Sequence, residues 1–280
     1  MMPWALAIDI GGTKVAAGVV ADDEVLHSAL APTGPDPWAT VEGLVAGLPL
    51  EGVEVVGVGC GGPMTRTGVS PVNIPAWRGF PLGTRLAELT GLPVHVDNDA
   101  KALTVAEGWF GAARGHTDFL GMVVSTGVGG GIVLDGRLLD GRETNAGHIG
   151  HVIVEPEGHP CGCGARGCLE AEASGTGIAA ITGRPAAEAT SEVVERTGRL
   201  VGRAVASVAN LLDLRLAVVA GSVALGFGAP FFTAAQEEID RSCRLDHSVG
   251  TRIRPAGLGA EAPLVGAACV GWRGIGMGPW

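Results

Sequence analysis

Strand, glycine turn and returning strand occur twice in this chain, and no other feature restricts its fold as strongly. The first copy is Asp9-Ile10-Gly11-Gly12-Thr13-Lys14, reached by an apolar run over residues 3–10. The second is Ser125-Thr126-Gly127-Val128-Gly129-Gly130-Gly131, reached by the run 119–125. Both runs read as buried strands, and an alternation of strands and helices follows each one. A pattern that restarts midway predicts an α/β protein of two similar domains facing each other across a cleft. The expected boundaries are 1–113 for a smaller N-terminal domain and 114–262 for a larger one.

In the first part, strands are expected at 15–20, 25–30, 53–60 and 94–96, and helices at 38–48, 81–89 and 100–110. Pro81 and Gly91 punctuate the second of these helices at its start and its end. In the second part, a glycine turn at 127–131 leads into a strand at 132–139 with its own Asp135-Gly136 hairpin. Helices are expected at 169–181, 191–212, 229–242 and 263–272, with strands at 216–220 and around Ile253.

Composition narrows the function. A hydrophobic fraction of 46% supplies a core and argues against disorder. A net charge of -10 argues against nucleic acid or an anionic membrane as partner. The opening MMPWALAIDI has neither a cationic leader nor a span-length apolar run, so a cytoplasmic protein is expected. Of six cysteines, Cys60, Cys243 and Cys269 are scattered, which suits a reducing compartment better than a disulfide framework.

The remaining three, Cys161, Cys163 and Cys168, share one glycine-rich loop, with His151 just upstream. Three thiolates and one imidazole form a complete tetrahedral set for zinc with no position left for substrate, which is a structural site. Cys161 and Cys163 are too close in sequence for easy disulfide geometry, and the loop has no apolar face in which to bury unconnected thiols.

Glycine turns between strands expose N–H groups that can cradle phosphate. The first turn adds a carboxylate for a magnesium-bound water (Asp9), a hydroxyl (Thr13) and a cation (Lys14) beside Gly11 and Gly12. The second offers Thr126, Gly127, Gly129 and Gly130. Each turn alone could be purely conformational; the pair points to a nucleotide. Neither is a Walker loop, because the glycines lead into a strand. Asp99 opens a helix beside Asn98; capping explains both residues, and a general base acting on a hydroxyl explains Asp99 as well. His148 and Glu170 bracket the metal loop, as expected of polar groups converging on a hydroxyl-rich ligand, although a loop histidine and a first-turn acid are ordinary features. His159 reads as a surface residue.

Together these stretches resemble the ROK family, named for repressors, open reading frames and kinases. The resemblance rests on AIDIGGTK at 7–14, NIPAW at 73–77, DNDAKALTVAEGWFGA at 97–112, VSTGVGGGIVLDG at 124–136, GHIGH at 147–151, CGCGARGCLE at 161–170 and VVAGSVAL at 218–225. It implies an actin-like, hexokinase-like fold and ATP- and magnesium-dependent phosphorylation of a hexose or hexosamine 6-hydroxyl. By the resemblance Asp99 is the catalytic base, and Gly62, Asn98, His148, His151 and Glu170 line the sugar with it. The Asp9 and Thr126 turns, with Gly221, carry ATP. The final helix is implied to return to the first domain, so 263–280 would complete it, and a homodimer is the family habit.

Family glucokinases carry Glu where this chain has His148; the segment Ala146-Gly147-His148-Ile149-Gly150-His151 looks like the N-acetylmannosamine kinases of sialic acid catabolism. The exchange replaces a pure acceptor with a group able to donate and accept, and removes a negative charge. The substrate implied is N-acetylmannosamine, with glucose as the alternative. Family repressors carry a helix-turn-helix before the first glycine turn, for which this chain leaves no room; a non-catalytic sugar-binding protein is opposed by Asp99 and both turns.

Overall fold

The computed structural model describes residues 2–280, folded as two compact units. The first runs to Gly111 and takes back Asp140–Ala146 and Leu258–Trp280; the second holds Ala112–Leu139 and Gly147–Gly257.

In the first unit β1 (Trp4–Ile10), β2 (Lys14–Ala21) and β3 (Glu24–Pro32) form an antiparallel meander, and β4 (Val53–Cys60) and β5 (Val94–Asp97) add in parallel. The sheet order is β3-β2-β1-β4-β5. The continuous apolar runs of β1 and β4 are almost wholly buried, as a strand covered on both faces requires. Asp36 caps α1 (Pro37–Ala46), accepting from the N–H groups of Trp38 and Ala39. Gly91, at φ 71°, ends α2 (Leu82–Thr90) in the left-handed conformation that glycine permits. Next, α3 (Asp99–Trp109) is buried along nearly its whole length.

The second unit repeats the plan: β6 (Phe119–Val124), β7 (Val128–Leu134) and β8 (Arg137–Leu138) are antiparallel, and β9 (Leu216–Ala220) and β10 (Arg252–Pro255) join in parallel. Here the returning strand starts earlier than expected. Gly129, Gly130 and Gly131 are ladder residues of β7, paired with Val123, Met122 and Gly121, and the turn proper is Ser125–Gly127. Glycine is needed at 130 because a Cβ there would lie 2.8 Å from the Gly121 carbonyl and 2.9 Å from Ile149. The helix expected at 169–181 is two helices. Ser174 interrupts α4 (Leu169–Ala173) and caps α5 (Gly175–Thr182) through the N–H of Gly177. The 22-residue α6 (Ser191–Leu212) packs on α8 (Ala229–Ser242), and a short α7 (Ser222–Phe227) follows β9 unforeseen.

The last helix, α9 (Ala262–Gly274), packs on α3, β4 and β1 of the first unit. Contact is close: a Cβ on Gly57 of β4 would fall 1.9 Å from the Ala267 carbonyl. No helix among the described residues is long and apolar enough to cross a membrane.

Candidate functional site

In the first unit the chemistry-bearing residues gather at the ends of β1, β4 and β5. Gly11 donates its N–H to the Lys14 carbonyl and closes the turn after β1. Gly12 presses on Asn73, where a Cβ would meet the Asn73 Cβ at 2.4 Å. Asp9 and Asp99 flank Gly59: a Cβ there would lie 3.5 Å from both Asp9 Oδ1 and the Asp99 Cα. Burial, and then the nearby Asp99 carboxylate, push the Asp9 carboxyl up to about 7, although Lys14 opposes the rise. Burial and the same two carboxylates push the Cys60 thiol up as well.

The N-terminus of α3 fixes Asp99. Asn98 caps the helix, its Oδ1 accepting from Ala100 N–H (3.0 Å) and Lys101 N–H (3.4 Å). Asp99 Oδ1 accepts from Ala100 N–H at 2.8 Å, while Oδ2 faces Gly61, where a Cβ would approach it to 3.2 Å. One carboxylate oxygen thus accepts from the backbone, and the other lies over Gly61, just past the end of β4. Gly62, at φ 83°, packs against Pro71 and Val72 too closely for any side chain.

Behind this turn lies a cluster absent from the sequence expectations. Lys101 is 1% exposed, yet Nζ reaches Asp97 Oδ1 (2.9 Å), Asp140 Oδ1 (2.8 Å) and the Thr144 carbonyl (3.1 Å). Arg273 of α9 pairs with the same two carboxylates. Two cations and two anions therefore tie β5, α3, α9 and Asp140–Ala146 together, with Asp97 also accepting from Asn98 N–H at 2.8 Å. Asn145 adds a two-point pairing with the Met64 backbone. These bonds account for the place of Asp140–Ala146 in the first unit.

In the second unit the turn after β6 is gripped from two sides. Glu170 Oε2 accepts from Val128 N–H at 3.0 Å, and a Cβ on Gly127 would come within 2.9 Å of that oxygen. The start of α5 docks on the same turn, with Gly175 N–H donating to the Ser125 carbonyl and Thr176 to that of Thr126. Gly221, at φ 100°, ends β9 against Val124, and Ser222 Oγ lies 3.0 Å from Ser125 Oγ. The segment around His148 runs over β7: a Cβ on Gly147 would reach the Gly130 carbonyl at 2.5 Å, and one on Gly150 would reach Val128 at 2.3 Å. The His148 and His151 rings face each other nearly parallel, 6.3 Å apart.

The loop that follows is a tight knuckle. Cys161 N–H donates to Ala165, Gly164 N–H to Cys161, and Gly167 N–H to His159. Gly167 has φ 70° and touches the Glu155 carbonyl so closely that no Cβ fits. The ligand atoms of His151, Cys161, Cys163 and Cys168 all lie within 4.8 Å of one another. Cys163 and Cys168 Sγ are 3.8 Å apart, as are Cys161 Sγ and His151 Nδ1. A disulfide needs about 2.05 Å. Thiolates about 2.3 Å from a tetrahedral zinc stand about 3.8 Å apart, so the residues fit the metal.

Thus the structure brings Asp9, Gly11, Gly12, Thr13, Lys14, Gly62, Asn98 and Asp99 to one unit. It places Thr126, Gly127, Gly129, Gly130, Gly221, His148, His151 and Glu170 in the other. Sequence reasoning passed over Lys101, Asp140 and Glu172. Lys101 in the first turn of a buried helix was the available signal, because a cation there opposes the helix dipole and calls for acidic partners.

A model of the ROK family matches residues 5–272. The chain is similar to N-acetylmannosamine kinase from Citrobacter koseri, at 39% identity over 246 residues covering 80% of this chain and 84% of that one. It is also similar to glucokinase from Thermotoga maritima, at 40% identity over 184 residues, 62% of this chain and 58% of that one. Among solved structures, a ROK family glucokinase from Streptomyces griseus, in complex with glucose and AMPPNP, superposes with a TM-score of 0.83. It is 31% identical, over 96% of this chain and 99% of that one.

Proposed function

Because the chain belongs to the ROK family and is a sugar kinase, we propose that it phosphorylates the 6-hydroxyl of N-acetylmannosamine with ATP, Asp99 acting as the general base. The observation that carries the choice of sugar is His148, which stands where family glucokinases have Glu. A neutral imidazole can donate at one nitrogen and accept at the other, and it leaves no negative charge beside an acetamido group. The similarity to an N-acetylmannosamine kinase over 80% of this chain supports the same reading. Glucose is the second reading, favoured by the similarity to two glucokinases.

Asp99 is suited to its task by the division of its oxygens. Oδ1 is engaged by Ala100 N–H and Oδ2 faces Gly61; a carboxylate oxygen there would orient the sugar O–H and accept its proton as the oxygen attacks phosphorus. Asp9 would hold a water of the magnesium that accompanies ATP, and Lys14 and the N–H groups of the turn other than that of Gly11 would face the phosphates. The metal supplies neutralisation of phosphate charge. In the other unit, Thr126, Gly127, Gly129, Gly130 and Gly221 would meet the nucleotide, and His148, His151 and Glu170 the sugar with Gly62 and Asn98. Glu170 has one oxygen on Val128 N–H and a second for a sugar hydroxyl. Zinc on His151, Cys161, Cys163 and Cys168 would hold the loop between His148 and Glu170 in shape. We take the functional form to be a cytoplasmic homodimer with no nucleic-acid partner.

The test is a coupled ATP-consumption assay with N-acetylmannosamine, glucose, N-acetylglucosamine and mannose, with magnesium present. The expected result is the highest kcat/KM for N-acetylmannosamine. A higher value for glucose would overturn the choice of sugar and leave the kinase.

A further inference from the structure

Glu172 lies on α4, two residues beyond Glu170, and is 0% exposed. It accepts from the backbone N–H of His159, and both of its oxygens lie 3.0–3.1 Å from His159 Nδ1. Arg196 of α6 pairs with its carboxylate through Nη2 and bonds its carbonyl through Nη1 at 3.1 Å. Room for this carboxylate exists because residue 158 is glycine, where a Cβ would sit 2.3 Å from Glu172 Oε1. One heptad along α6, Arg203 bonds the Val154 carbonyl (3.1 Å) and Glu155 (3.2 Å), in the arm of the loop that leads to His159. His159 is thus half-exposed but committed.

We propose that Glu172, held by Arg196, is a positioning residue that fastens the stem of the metal loop to α4 independently of metal and so sets Glu170 for sugar. The physical need is plain. A five-residue helix does not hold its own shape, so the direction of Glu170 depends on what seats α4. Cys168, adjoining α4, would tie the helix to the knuckle through a bound metal, and Glu172 ties it a second time, at His159, two residues before Cys161. A buried carboxylate stays charged only with a cation and N–H donors, and Arg196 and His159 supply both. The link to sugar rests on the reading of Glu170 given above.

The experiment uses the whole protein with the metal it carries on purification. Hydrogen–deuterium exchange is followed over residues 153–168, alongside kinetics with N-acetylmannosamine, for the wild type, Glu172→Ala, Glu172→Gln and Arg196→Lys. Glu172→Ala is expected to speed exchange in the loop about ten-fold or more. Its sugar KM is expected to rise three- to ten-fold with kcat within two-fold. Glu172→Gln, which keeps an acceptor for His159, and Arg196→Lys, which keeps the charge, should recover part of both effects; Glu172→Gln also serves if the alanine variant does not fold. Unchanged loop exchange overturns the proposal, and so does a fall in kcat at constant KM. Glu170→Gln is the separate control, because an unchanged sugar KM there would sink the role of Glu170 while the exchange data still judge the fastening.

Discussion

Counted from its own first strand, each unit has the same sheet. Strands one to three form an antiparallel meander and strands four and five add in parallel, giving β3-β2-β1-β4-β5 in one unit and β8-β7-β6-β9-β10 in the other. What hangs on the matching positions differs. The first strand ends near Asp9 in one unit and leads to Ser125 in the other. The fifth delivers Asp97, Asn98 and Asp99 in one and Pro255 in the other. Between strands three and four the first unit has α1, whereas the second has the metal loop, α4, α5 and α6. Parallel strand ends in α/β sheets are where ligands are met. On the function proposed above, one plan would carry carboxylates for proton and metal chemistry in the first unit and an inserted recognition device in the second.

The ionic anchors differ in the same way, and perturbing them would sharpen the contrast. In the first unit, Lys101→Met removes one of the two cations that pair with Asp97 and Asp140 and leaves Arg273. A buried partner lost in this way should cost about 3–5 kcal/mol in urea unfolding, and a loss below about 1 kcal/mol would show that the cluster is not what secures this unit.

Burial of Asp9, and then its neighbour Asp99, gives the first unit a pH signature that Ser125, at the matching place, does not give the second. The fold raises the Asp9 pKa from 3.8 to about 7, so the folded state holds that proton more tightly than the unfolded chain. The contribution is complete below the unfolded pKa and is lost as pH rises through the folded one. Without magnesium, stability relative to Asp9→Asn should fall by roughly 3–4 kcal/mol between pH 4 and pH 8. A pH-independent difference would contradict the raised pKa of Asp9.

For the inserted device, Cys161→Ser should abolish stoichiometric zinc and raise the sugar KM about ten-fold, with a smaller change in kcat. Metal analysis with kinetics checks this. Zinc absent from unchelated wild-type protein would remove the metal from the comparison.

Much of this contrast was legible from residue order. Apolar runs, Gly91 after a helix and the restart at 119 gave the elements, because burial period and helix stops are local properties. The four metal-fitting residues were legible because their side chains have little other use in a glycine loop. The β7 glycines misled because glycine signals freedom of φ and also close approach, and at 130 the second applies. Ser174 divided an expected helix because its cap bond competes with continuing the helix. Lys101, Asp140, Glu172 and Arg196 were not legible as a group, since Lys101 and Asp140 lie 39 residues apart, Glu172 and Arg196 24, and Asp140 and Arg273 133.

The division of labour is tested most directly by Asp99→Asn, with turnover and sugar binding measured on the same protein. The account expects kcat to fall by about 10²–10⁴ while N-acetylmannosamine binding, followed by calorimetry, changes by less than about three-fold. Full turnover in that variant would remove the assigned base. A loss of sugar binding that matches the loss of rate would make Asp99 a recognition residue and contradict the account.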